Sequence, residues 1–248
     1  MTGSIMHAAR NSFITKLESV VPLSSEDKTS LDAICQIARK LPARADIIHK
    51  GERPCDVHII LTGWAARFEV LPNGGRQITA FLLPGDLCDQ HVSVLGCMDH
   101  SICTLTDATV AHLPNGMLEQ VAARRPNVAR ALWWSTLVDE AILRQWIVSL
   151  GRRDAYGAVS HLLCELQARL RIIGLVGDHH VGMPLTQHEI ADALGLTPVH
   201  VNRVLRRLRD DGLVSLQKRV LSIPDVPKLR EAAGFDGTYL HQLLLSRD

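Results

Sequence analysis

No stretch of the chain reaches 18 consecutive apolar residues, so hydropathy offers no helix long enough to cross a bilayer. Met1 to Arg10 lack the apolar core of a secretory leader, and a cytoplasmic protein is expected. Charge of one sign is also missing. Lys and Arg number 27 against 26 Asp and Glu, a formal +1, so a nucleic-acid signal would have to be local. The six cysteines (Cys35, Cys55, Cys88, Cys97, Cys103, Cys164) never form C-x-x-C, which reads as reduced thiols rather than a disulfide framework. Neither a P-loop nor a Ser/His/Asp pattern occurs. Metal chemistry of the cupin type would need a close His pair on one strand plus a Glu and another His. Here H-x-H is absent and His49 and His58 stand apart, so catalysis is not expected. What the chain does have is 46% hydrophobic residues, enough for a buried core.

Texture changes twice along the chain. Residues 11–40 read as helical, with Phe13, Ile14, Leu17, Val20 and Val21, then Leu31, Ile34, Ile37 and Ala38, at three-to-four spacing. From about 42 to 113, short β-prone runs (Asp46–His49, Val57–Leu61, Ala65–Val70, Arg76–Leu82, Ser101–Leu113) alternate with glycine turns, and Asn73-Gly74 is a hairpin signal. A small antiparallel barrel or roll follows. After Pro114 the chain is helical again. Residues 126–150 contain no internal Gly or Pro, and Val128, Leu132, Ser135, Asp139, Leu143, Trp146 and Leu150 recur at alternating four and three, the spacing of a coiled-coil seam. One long helix packed on its own barrel is the competing reading. Gly151-Arg152-Arg153 is the expected hinge. A helix with Ala158, His161, Leu162, Glu165, Leu166 and Leu170 along one stripe comes next, then a Gly-rich loop, Gly174–Pro184.

Residues 186–209 carry the most information. Thr186 with Glu189 is a capping box that opens a helix, and Gly195 ends it. Thr197 with Pro198 then opens a second helix. Val201, Val204, Leu205 and Leu208 form its buried stripe, and Val199, Asn202, Arg203 and Arg206 lie opposite, flanked by Arg207. Two short helices crossing at a glycine turn make a helix-turn-helix. Its exposed face has the side chains that read a major groove, where Arg forks onto guanine and Asn onto adenine. Between Thr197 and Arg219 six Lys or Arg (Arg203, Arg206, Arg207, Arg209, Lys218, Arg219) face two acids, Asp210 and Asp211. The alternating segment after Gly212 reads as a hairpin with Gln217, Lys218 and Arg219 at its tip, a wing placed for phosphate. The residues from Val226 read as a short helix and a semi-apolar tail that covers the DNA-binding domain.

With this run (GLTPVHVNRVLRRLRDDG, Gly195–Gly212) and the Pro84–Asp86 turn, the chain resembles the CRP/FNR family of bacterial transcription regulators over nearly its whole length. The resemblance implies an α+β architecture. An antiparallel cyclic-nucleotide-binding-like β-roll with flanking helices is followed by a long dimerisation helix and a winged helix-turn-helix. The expected division is a sensor over 1–125, a dimerisation helix and hinge over 126–151, and a DNA-binding domain over 152–248. It further implies a homodimer on double-stranded DNA, reading an inverted repeat with recognition helices roughly 34 Å apart, and contact with RNA polymerase. Leu132, Ser135, Asp139, Leu143, Trp146 and Leu150 are the expected dimer interface, and Thr186, Thr197, Val199, His200, Asn202, Arg203, Arg206, Arg207, Lys218 and Arg219 the expected DNA contacts. Arg203 matches the family's base-contacting arginine. Many members carry Glu four residues earlier; Val199 offers only an apolar contact, such as to a thymine methyl, so the half-site differs, with Asn202 and His200 as candidates for the polar readout.

The resemblance also places a small-molecule effector in the roll, at Gly85, Asp86, Leu87, His100 and Ser101. Cyclic-nucleotide-binding relatives carry Gly-Glu-Leu and Arg-Ser there. His100 in place of the arginine loses the planar fork that grips a phosphate, and Asp99 repels an anion, so a cyclic nucleotide is disfavoured. The cofactor stays open. Cys88, Cys97 and Cys103 could approach one another for an iron–sulfur cluster, though three small core residues fit the pattern better. Haem would need an axial ligand, and His49, His58, His91, His100 and His112 offer no distinguishing spacing. Trp64, Trp133, Trp134 and Trp146 read as packing residues.

Overall fold

Caps and turns punctuate the chain much as its sequence pattern indicates. The fold is a computed structural model that describes residues 11–89, 96–177 and 179–241. His91 and the ends of the chain therefore lie outside the described residues. The Asn11 side chain accepts from the Phe13 N–H to start α1 (Ser12–Glu18), and Ser24 and Asp27 form a capping box on α2 (Ser25–Ile34). The helical reading to residue 40 needs correction at its end. Ala38–Leu41 is a strand, β1, paired antiparallel with residues 108–111. Four residues have no helical period of their own, so the partner strand decides their conformation.

The roll is two facing sheets. One has the order β1-β7-β3, with β3 at Asp56–Thr62 and β7 at Ala108–Pro114; the other runs β2-β6-β4-β5, with β2 at Asp46–Ile48, β4 at Ala65–Val70, β5 at Arg76–Leu82 and β6 at Ser101–Thr104. The single run expected over Ser101–Leu113 is broken at residues 105–107, which lets its halves join different sheets. Alternation along the strands sends Ile48, Ile60, Ala65, Ile102 and Val110 into the space between the sheets, with Cys88 and Met98. The outer face of β3 and β7 (Val57, Ile59, Ala111, Leu113) packs on Phe13, Leu17, Leu31 and the helix α3 (Met117–Arg124).

The long helix α4 spans Pro126–Arg152, with proline at its first turn. Gly151 stays helical. The break falls at Arg153, which is extended, and Asp154 caps α5 (Ala155–Ile172) by accepting from the Gly157 N–H. The helix break therefore sits two residues beyond the glycine: with no proline and no left-handed turn at 151, nothing there ends the helix. Almost every face of α5 is buried, because the outer face of β4–β5, α4 and the C-terminal elements surround it. Inside the expected Gly-rich loop, His180–Gly182 forms β8, a third strand of the wing in the order β8-β10-β9, where β9 is Ser215–Gln217 and β10 is Val220–Ser222. The C-terminal helix α8 (Val226–Ala233) and a 3-10 turn at Gly237–Leu240 close this half.

Candidate nucleic-acid interface and sensor chamber

The helix-turn-helix is built as its caps dictate. Thr186 and Glu189 form a complete capping box on α6 (Gln187–Leu194), and Gly195 ends it in the left-handed conformation (φ 63°). The Thr197 hydroxyl accepts from the His200 N–H to open α7 (Pro198–Asp210). Val201, Val204 and Leu208 are buried, and Leu205 is half-buried. Val199, His200, Asn202, Arg203, Arg206 and Arg207 are exposed, and Val199 keeps 68% of its surface. Thr186 and Thr197 are exposed at the two helix starts. Arg207 is partly engaged within the chain: its guanidinium lies 4.5 Å over the Tyr156 ring, whose hydroxyl donates to Asp211. The wing tip is a two-residue turn in which Lys218 (φ 48°) and Arg219 (φ 64°) are both left-handed. Glycine would be the relaxed choice at either position.

The helix α4 presents two faces. Val128, Ala131, Ser135, Val138, Ile142, Trp146 and Ser149 turn into the chain's own core. Trp146 meets the Phe81 ring edge-on and donates through Nε1 to the Glu165 carboxylate at 3.2 Å. Asp139 is enclosed among Lys16, Asp86 and Arg169, and burial raises its pKa. Of the residues expected at the dimer interface, Ser135 and Trp146 are thus buried within the chain and Asp139 is half-buried. The roll and α5 cover that side of the helix, and the expected seam is rotated from the free one. Leu132 packs on the N-terminal cluster, while Leu143 and Leu150 are exposed. The exposed apolar residues of this helix are Trp133, Leu137, Leu143, Ile147, Val148 and Leu150, with the exposed Glu140–Arg144 pair among them.

The Gly-Asp-Leu turn also differs from expectation. A Cβ on Gly85 would meet the Ser12 carbonyl oxygen at 2.6 Å, so this glycine lets α1 lie against the turn. Asp86 accepts from Lys16 Nζ (2.7 Å), from the Arg169 guanidinium (2.6 Å) and from the Leu83 N–H (2.7 Å). Those partners hold its carboxyl below the usual carboxylate range against the opposing effect of burial. Leu87 is buried and bridges to Ile59. These contacts make the turn a junction of α1, the roll and α5. The Ser101 hydroxyl accepts from the Lys50 N–H. Of the five expected effector residues, only His100 keeps an unpartnered buried atom, Nε2, while its Nδ1 is held by Asp99. Burial and the Arg67 charge lower its pKa.

The sequence reading missed the groups around it. Arg67, two residues from Ala65 on β4, shares its inward face, a placement that strand alternation alone indicates. Its guanidinium donates to the Cys88 carbonyl at 2.8 Å, and its Nε is buried without a partner. His58 and His112 stand opposite each other on β3 and β7 with rings edge-to-face at 4.7 Å, and Asp89 holds His58 through both its N–H and Nδ1. Cys88 and Cys103 are buried and Cys97 is exposed. Among the described residues no three His, Cys, Asp or Glu side chains converge as a metal site.

A roll joined by a long helix to a winged helix-turn-helix defines a class, the two-domain DNA-binding transcription regulator. Residues 38–125 match the cyclic nucleotide-binding domain and residues 157–232 the Crp-like helix-turn-helix domain, and the chain belongs to the CRP/FNR family. It is 29% identical over 216 residues to the transcriptional activator protein FnrL of Cereibacter sphaeroides, covering 86% of each chain. It is 26% identical to the transcriptional activator protein anr of Pseudomonas aeruginosa, again over 86% of each. The solved structure of FixK2 from Bradyrhizobium japonicum superposes with a TM-score of 0.70 at 25% identity, covering 80% of this chain and 98% of that one. No described helix is long and apolar enough to cross a membrane.

Proposed function

We propose that the protein acts as a homodimer that reads an inverted-repeat operator and is switched by an effector of the roll. The observation that carries this reading is the exposed face of α7, where Val199, Asn202, Arg203 and Arg206 project from a helix otherwise fixed by its buried stripe. Arg203 forks onto guanine, Asn202 and His200 supply further polar readout, and Val199 meets a thymine methyl. Arg206, Lys218 and Arg219 hold phosphates, with Arg207 and the helix starts at Thr186 and Thr197 beside them. The dimer forms through Trp133, Leu137, Leu143, Ile147 and Leu150, since an apolar stripe of this length is buried by a second copy at little cost. The sensor comprises residues 1–125, the dimer helix runs from 126 to the break at Arg153, and the remainder binds DNA. Activation of transcription belongs to the same reading, on the strength of the relatives' names, and contact with RNA polymerase is part of that proposal.

Operator selection from a random duplex pool, followed by fluorescence anisotropy, tests it. The wild type selects an inverted repeat with thymine in each half-site, and Arg203→Ala loses specific binding with an unchanged circular dichroism spectrum. Unchanged operator affinity in that variant would sink the assignment. A steep decline of affinity with salt separates DNA binding from a module that works through protein contacts.

A further inference from the structure

The match to the Crp-like helix-turn-helix ends at residue 232, and the chain continues past it. Gly234, left-handed at φ 54°, ends α8, and Asp236 accepts from the Thr238 N–H to start the 3-10 turn Gly237–Leu240. This short strap does not stay on its own domain. Leu240, 1% exposed, reaches the long helix α4 and joins one apolar cluster with its Val138, Ile142 and Trp146. Phe235 lies against the His161 ring of α5 at 5.0 Å, and the Tyr239 ring stacks on the same histidine at 5.9 Å.

Glu165 ties these pieces together. Its buried carboxylate accepts from Trp146 Nε1 of α4 at 3.2 Å, from the Tyr239 hydroxyl at 3.1 Å, and from Arg169 of its own helix at 3.5 Å. Losing one donor leaves an acceptor that water cannot reach, so the three are held together. The roll grips the helix-turn-helix as well, through Arg76 to Asp192 and Gln77 to the Ala193 carbonyl. The strap differs in acting on α4, the helix that carries the axis of the proposed dimer. In such a dimer the separation of the two recognition helices follows from the angle each domain makes with α4. Base pairs are about 3.4 Å apart along the duplex, so moving each helix by about 1.7 Å changes the matching spacer by one base pair.

We propose that Tyr239 and Leu240 are positioning residues for operator recognition: through Glu165 and Trp146 they fix the helix-turn-helix on α4 and so set which half-site spacing the protein accepts. This rests on the reading of the protein as a homodimer on an inverted repeat.

The test is operator affinity of the full chain on duplexes whose spacer runs from two base pairs shorter than the selected one to two longer, with a lone half-site as reference. The proteins are the wild type, Tyr239→Phe, Leu240→Ala, the double variant and Leu240→Met. The wild type prefers one spacer. In the double variant that preference falls by about fivefold, the worth of one buried hydrogen bond, while affinity for the lone half-site is unchanged. Tyr239→Phe shows part of the effect, and Leu240→Met, which keeps the volume, retains the wild-type preference. A strap that only stabilises the fold lowers Tm and weakens every duplex alike, and that result, with spacer preference unchanged, overturns the proposal. Should the double variant fail to fold, Tyr239→Phe decides, since it keeps the ring and removes only the hydroxyl; an unchanged preference there overturns the proposal equally. Absence of wild-type binding to any inverted repeat refutes the regulator reading, not the strap. Hydrogen exchange over residues 145–157 without DNA then decides: faster exchange in the variants supports the clamp, and unchanged exchange overturns it.

Discussion

Replacing Arg169 with methionine tests whether the domains are held together by charge. Arg169 is only 11% exposed and donates to Asp86 at 2.6 Å and to the Phe81 carbonyl at 3.0 Å, and it reaches Glu165 at 3.5 Å. Methionine keeps much of the stem's packing and removes every polar contact. Breaking a buried ion pair from one side costs about 3–5 kcal/mol, because the abandoned acid stays buried. Here Asp86 keeps Lys16 and the Leu83 N–H, while Glu165 keeps Trp146 and Tyr239, so about 2–4 kcal/mol is expected. The deficit also depends on pH. Burial raises the Glu165 pKa, and the Arg169 charge is the largest influence opposing it. An acid with a raised folded pKa loses stability as pH climbs from its unfolded toward its folded value. Without Arg169 that window extends upward, so the variant falls further behind the wild type at pH 8 than at pH 5. Urea titrations followed by tryptophan fluorescence measure both effects, with Trp146 against Glu165 as reporter. A deficit below about 1 kcal/mol at pH 7, where the full ion-pair loss applies, or one that shrinks as pH rises, refutes the reasoning.

The wing offers a trade between stability and affinity. Arg219→Gly relieves a left-handed residue that costs about 1–2 kcal/mol, set against about 0.5–1 kcal/mol of glycine entropy, so Tm holds or rises. The salt slope of DNA binding falls by about one unit in the same variant, and a clear drop in Tm contradicts the strain argument. His161 is 2% exposed beside Phe235 and Tyr239, with its pKa pushed down to about 4 by burial. A base depressed in the folded state contributes stability above pH 6.5 that is lost as pH falls toward 4, about 3 kcal/mol in all. His161→Phe flattens that limb of a stability-against-pH curve, and an unchanged limb excludes His161 as its source. Leu137→Arg with Ile147→Arg gives a monomer in sedimentation, while Ser135→Ala leaves association untouched; the opposite result restores the seam read from spacing alone.

Much of this protein follows from short-range chemistry. Thr186 with Glu189, Gly195, and Thr197 with Pro198 each act within a few residues, so they fixed the helix-turn-helix without reference to the rest of the chain. Strand limits at Ala65–Val70 and Arg76–Leu82 were equally local, set by alternation and the Asn73-Gly74 turn. Period alone could not say which side of α4 faces the roll. Both its stripes are apolar, and only the placement of Phe81, Glu165 and Arg169 against Trp146 and Asp139 decides which is covered. The same holds for Asp86. In sequence it resembles a ligand-binding turn, yet Lys16 lies 70 residues before it and Arg169 lies 83 after, and a charge takes the partner that folding brings nearest. The sequence alone determined the local units and the face that meets DNA. The tertiary structure decided which charges are paired and which apolar face stays open, because Coulomb and packing energies depend on distances that no local pattern encodes.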